Sequence, residues 1–162
     1  MKIKIKPKKI NKKNFNKFGQ IIDTSKKKYF RINNGYAKRY DNLGKINTSI
    51  KKGKTIISIF SAKTRKFPMK VDMMEKHPLG SQAFIPMKET SFLVFVAPRG
   101  SKPNLKKIKS FRIPKQTGIN LNPGIWHFPL ISTKNMNFSP SLGISNGRGS
   151  SFAFLAASAS RC

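Results

Sequence analysis

The chain has 162 residues, 38% of them hydrophobic, which suits one domain with a single buried core. Its 34 lysines and arginines against 5 acidic residues give a formal charge of +29. The lone cysteine, Cys162, excludes an internal disulfide, and the strongly apolar run Phe92–Ala97 is far too short to span a bilayer.

So basic a balance suggests a polyanion as partner. Most of the charge is lysine, however, mixed with asparagine and isoleucine as in proteins of AT-rich genomes. Arginine, the residue of bidentate phosphate and base contacts, is confined to Arg31, Arg39, Arg65, Arg99, Arg112, Arg148 and Arg161. Nucleic acid is therefore not the expected partner, although the field would still draw in small anions. Met1 to Pro7 is basic with no apolar stretch behind it, unlike a secretory signal, and a soluble cytoplasmic protein is expected.

In chain order, Lys2–Ile5 alternates charge and isoleucine as an edge strand does, and Asn14–Phe18 suits a short helical turn ending at Gly19. Tyr29–Tyr40 carries Asn34-Gly35 between two aromatic-rich arms and predicts a hairpin. Further strands are predicted at Thr55–Ala62, Gln82–Pro86, Ser91–Pro98, Ile108–Ile113 and Ile125–Ser132. Short turns separate them and no helical period is sustained, so the fold class is mainly β, a sandwich or small barrel. After Lys134 lysine disappears, and 139–162 becomes a Ser/Gly/Ala-rich tail. The abrupt change reads as a shift of reading frame, with a flexible extension as the other reading. The predicted domain is then 1–138.

The 2 histidines fall in the least generic segments, His77 before Pro78 and His127 after Trp126. Histidine is the side chain best suited to move a proton or hold a metal near neutral pH. His77 also suits a turn cap, and His127 a satisfied core histidine. Glu75 is one of few acids and can orient His77 or pair with a surface cation. Paired cysteines, a nucleophile elbow, heptads and a phosphate-cradling glycine loop are all absent.

The stretch HPLGSQAFIPM from His77 to Met87 resembles the ureidoglycolate lyase family of allantoin degradation. FRINNG (Phe30–Gly35), Arg39-Tyr40 and GIWHFPL (Gly124–Leu130) are similar to it too, in the same order. The likeness runs from about Phe18 to about Phe138. It implies a cupin-type β-barrel or jelly roll, usually a homodimer, that splits ureidoglycolate into glyoxylate and urea. One departure is Ser139-Pro140-Ser141, where the family continues with an apolar strand and an Asp-Arg pair.

The cupin likeness also implies a site for a divalent metal, nickel or similar, with His77, Gln82 and His127 as the ligand set. Glutamine stands where a glutamate is usual and is a weak ligand. Alternatively a histidine acts directly as the acid and base, with His77, His127 and Glu75 as the catalytic candidates. Arg31, Arg39 and Lys88 are candidates for the substrate carboxylate, Asn33 for the ureido group, and Gln82 for a place in the lumen beside Phe84 and Pro86. The rival functions are a non-catalytic cupin that binds a small carboxylate and a basic nucleic-acid-binding protein.

Overall fold

A computed structural model describes residues 4–48, 54–128, 130–133 and 150–158. Lys2, Ile3, the Ser139-Pro140-Ser141 interruption and Cys162 lie outside the described residues. In chain order the elements are β1 (Lys8–Lys9), α1 (Lys12–Phe15), β2 (Gly19–Ile22), β3 (Phe30–Ile32), β4 (Ala37–Arg39) and β5 (Lys54–Ala62). There follow β6 (Gln82–Pro86), β7 (Ser91–Ala97), β8 (Lys109–Ile113), β9 (Gly118–Leu121), β10 (Trp126–His127), β11 (Ile131–Thr133) and β12 (Ser150–Ser158).

Two five-stranded sheets dominate. One runs β1-β8-β7-β10, with β11 also paired to β7, and the other runs β2-β9-β6-β12-β5. Among the described strands the pairings are antiparallel except β1 with β8, and the isolated Thr64–Ser132 bridge is also parallel. The third sheet is the β3–β4 hairpin, turned by Asn33, Asn34 and Gly35 at φ of 54°, 51° and 91°. Asparagine and glycine are the residues that enter this left-handed region most readily. The chain is all-β with a minor helix, consistent with a cupin-like fold.

The alternation of β7 explains how the two large sheets meet. Phe92, Val94 and Val96 join one core cluster with Phe84 of β6, Phe111 and Ile113 of β8, and Ile119 and Leu121 of β9. Residues of both sheets in one cluster mean that the sheets face each other across it. The intervening Leu93 and Phe95 point to the opposite face, where Phe128, Ile131, Met69, Val71 and Ile5 cover them. With both faces covered, β7 reads as one continuous apolar run. Helix α1 adds Phe15, which meets Phe111 edge to face at 5.4 Å, with Phe18 packed beside them.

Several boundaries differ from the sequence expectation, each for a local reason. The first described strand lies at Lys8–Lys9; of the expected Lys2–Ile5 strand, the described Lys4 and Ile5 lie outside any strand, and Ile5 packs on the outer cluster. The helix begins earlier than Asn14 because Asn11 and Asn14 cap one another reciprocally, each side chain accepting the other's backbone N–H at 2.9 Å. The single strand expected over Ile125–Ser132 is two, β10 and β11, around a segment containing Pro129, a residue with no N–H to offer a ladder. Strands β2, β9 and β12 were not predicted. The last is notable because it lies in the Ser/Gly/Ala-rich tail yet sits between β5 and β6, pairing with both.

Candidate active site

β10 aligns antiparallel with β7, His127 opposite Val96 and Trp126 opposite Ala97. Residues directly opposite share a face, so His127 turns inward with Val96 toward the core between the sheets. On its other side β10 meets Glu75: the Glu75 N–H donates to the His127 carbonyl and the His127 N–H to the Glu75 carbonyl, both at 2.8 Å. Glu75 thus shares the face of His127. Two residues on, the His77 carbonyl accepts from the Gly124 N–H at 2.8 Å. Gly124 sits in the preceding turn at φ +77°, a conformation glycine adopts without penalty.

The outcome is a convergence of three side chains. Glu75 Oε1 lies 3.4 Å from His127 Nε2 and 3.9 Å from His77 Nε2. The imidazole centroids are 5.4 Å apart. His127 is enclosed at 1% exposure, whereas His77 at 35% and Glu75 at 43% still reach solvent. The site is therefore closed at its base and open at one side. Phe84 of the opposite sheet supplies part of the floor, its ring lying edge-on to His127 at 6.0 Å.

The tautomer of His127 follows from its other nitrogen. Nδ1 lies 3.1 Å from the Ile125 carbonyl, an acceptor only, so Nδ1 carries the proton and donates. In the neutral ring this turns the Nε2 lone pair toward Glu75 and His77. The Nε2 atoms of both histidines are buried and lack a hydrogen-bond partner among the described residues. When His127 also carries a proton on Nε2, its contact with Glu75 holds the carboxyl below the usual carboxylate range, against burial that pushes it up. Burial, seconded by His127, lowers His77, while Glu75 pulls it the other way. A carboxylate and two imidazole nitrogens converging with unmet polar capacity need a proton or a cation among them.

Their three ligand atoms lie within 4.8 Å of one another, and a mixed nitrogen and oxygen donor set suits a divalent transition metal. The chain's residues thus fit such an ion. Glu75 supplies the carboxylate that the expected set of His77, Gln82 and His127 lacked. Gln82 stands on β6 with the face of Phe84, its Oε1 buried and without a hydrogen-bond partner among the described residues.

The other candidates stand elsewhere. Arg31 and Asn33 are exposed on the β3–β4 hairpin, and Lys88 is exposed in the turn after β6. Arg39 is engaged by Asp41 through two hydrogen bonds of 2.7 and 2.9 Å. Sequence reasoning missed Phe84, whose apolar type carries no functional signal, and the fastenings behind the site. The spacing Glu75-x-His77 was the available clue to the carboxylate, because alternate residues of an extended segment share a face.

Fold and site define a small all-β protein that brings a carboxylate and two histidines together at one partly exposed cluster. The chain matches the family model described as ureidoglycolate lyase over residues 2–141. It is 42% identical over 130 residues to the ureidoglycolate lyase of Pseudomonas aeruginosa (strain LESB58), covering 80% of this chain and 76% of that one. Its similarity to the enzyme of that name from Stutzerimonas stutzeri (strain A1501) is 42% over 123 residues, 76% of this chain and 72% of the relative. With that from Azotobacter vinelandii it shares 38% over 123 residues, 76% and 74% of the two chains. The chain belongs to the ureidoglycolate lyase family.

Proposed function

We propose that this chain is a ureidoglycolate lyase of allantoin degradation, releasing glyoxylate and urea at Glu75, His77 and His127. The observation that carries the reading is the convergence of these three groups in a chain of this family. Ureidoglycolate bears a hydroxyl, a carboxylate and a ureido nitrogen on one carbon. In the elimination the O–H bond breaks, the carbonyl forms, the C–N bond breaks, and the departing nitrogen gains a proton. Atoms balance without an oxidant or a covalent intermediate.

His77 suits the proton transfer. Burial pushes it toward the neutral form while one side of the ring stays exposed, so the imidazole can take the hydroxyl proton and return it to the leaving nitrogen. Glu75, held ionised, stabilises the imidazolium formed in between. His127 is the fixed wall, its ring locked by the Ile125 carbonyl. The same three residues are those that would hold a divalent metal, nickel or similar, which when bound supplies Lewis-acid polarisation of the substrate oxygen. Gln82 offers a buried acceptor for a ureido N–H. Arg31 and Lys88 remain the proposed contacts for the substrate carboxylate and Asn33 for the ureido group, with Arg39 already taken by Asp41.

A cytoplasmic homodimer is the form we propose. The exposed Phe30, Ile32 and Tyr36 of the β3–β4 hairpin support it, because a two-stranded hairpin on its own is marginal in water. No helix among the described residues is long and apolar enough to cross a membrane.

The test is release of glyoxylate and urea from ureidoglycolate by the purified chain, with and without a chelator, beside His77→Ala and His127→Ala. Equal amounts of both products, lost in both variants, are expected. Loss on chelation with recovery on nickel assigns the three residues to a metal; activity indifferent to chelation assigns His77 to the proton. A folded chain that releases neither product under any of these conditions would refute the lyase reading.

A further inference from the structure

The face of β10 opposite the site carries a set of fastenings that no catalytic role explains. Lys76 lies between Glu75 and His77, and Trp126 precedes His127, so both point away from the pocket. They meet at one atom. The Lys76 ammonium donates to the Gly100 carbonyl at 2.8 Å, and the Trp126 indole N–H donates to the same carbonyl at 3.1 Å. A carbonyl has two lone pairs, and both are used. Lys76 Nζ also lies 4.6 Å from the centre of the Trp126 ring, a cation–π contact.

The residue before Gly100 adds another tie. Arg99 Nε donates to the Pro123 carbonyl at 2.7 Å, and the Arg99 stem lies against Gly124. Gly124 in turn donates to the His77 carbonyl. The loop leaving β7 therefore grips both backbone segments that bear the site, one through Lys76 and Trp126, the other through the Asn122–Gly124 turn. Without it, the segment bearing Glu75 and His77 is tied to β10 by the paired bonds at Glu75 and His127 and by the Gly124 bond.

We propose that the Arg99-Gly100 corner is a latch that sets the register of Glu75 and His77 against His127, with Lys76 and Trp126 as positioning residues for the reaction. They touch no substrate. They fix the separation of groups whose convergence is useful only within a fraction of an ångström. The kinetic arm of the test rests on the lyase reading; the exchange arm does not.

The experiment compares the full chain with Lys76→Met, which keeps the stem on Trp126, with Trp126→Phe, which keeps a ring under the cation, and with Lys76→Arg. Amide hydrogen exchange is followed by NMR, and ureidoglycolate turnover is measured alongside. Lys76→Met and Trp126→Phe should each speed exchange at the Glu75, Gly124 and His127 amides by about tenfold, the loss of one charge-assisted or neutral hydrogen bond. Amides of β7 and β8 should not change. In turnover, kcat should fall by about tenfold with KM held, and Lys76→Arg should restore both readouts. Unchanged exchange at the three amides, faster exchange spread evenly over the sheets, or failure of arginine to rescue would each overturn the latch. If the parent chain shows no turnover, the lyase reading falls and exchange alone decides.

Discussion

Glu75 and His77 are two positions apart on an extended segment, and the hydrogen-bonded bridge to His127 is what turns that spacing into a site. Replacing the carboxylate while keeping its shape, Glu75→Gln, should lower kcat about 10²-fold, as removal of a positioned acid–base partner does. Nickel binding measured by calorimetry should weaken in the same variant, since an amide is a neutral ligand. Acid should also act on the metal-free chain through these residues. His77 is depressed from 6.5 on folding, so its contribution to stability is complete above that pH and is lost as pH falls below it. Glu75 is depressed from 4.5, so its own contribution is lost at still lower pH. Urea midpoints recorded with chelator present should fall between pH 7 and pH 5, and His77→Asn should flatten that first decline. The histidines and Glu75 were legible because so few residues of those types compete for attention. Lys76, Trp126 and Gly100 were not legible, because their meeting depends on where the loop after β7 returns in space.

At the scale of elements, the strands with clean apolar or alternating runs, β5 to β8, could be read directly from the sequence. β9 could not. All of its residues are buried, including Gly118 and Asn120, so no alternation marks it. Asn120 is tolerated there because its amide donates to the Gln20 side chain at 3.0 Å and to the Lys45 carbonyl at 2.8 Å. Its neighbour β2 was hidden for a related reason. It opens with Gly19, where a Cβ would overlap the Asn120 carbonyl, so the strand begins with the residue that usually ends a helix. Gly19→Ala should therefore destabilise the domain by about 1–3 kcal/mol, the usual cost of overpacking. Chemical denaturation would show this as a lower midpoint at unchanged slope.

For the whole molecule, the +29 charge lies outside the candidate site, whose own titratable groups are one acid and two histidines. Such a field concentrates a small anion near the protein without choosing among anions. With ureidoglycolate as substrate, KM should rise and kcat hold as ionic strength goes from about 0.01 M to about 1 M, where screening shortens roughly from 30 to 3 Å. A KM indifferent to salt would leave the charge without a catalytic consequence.

Strand β5 carries exposed Ile57, Ile59 and Phe60, and its ladder partner among the described strands is β12. The family match ends at residue 141, before β12 begins. On the ribosome β5 emerges early, whereas β12 follows after most of the remaining sequence, delivered at about 5–20 residues per second. Throughout that interval a long apolar strand has both edges open, the condition under which nascent chains pair with each other. The yield of soluble protein in a cell is therefore expected to rise as synthesis reaches β12 sooner.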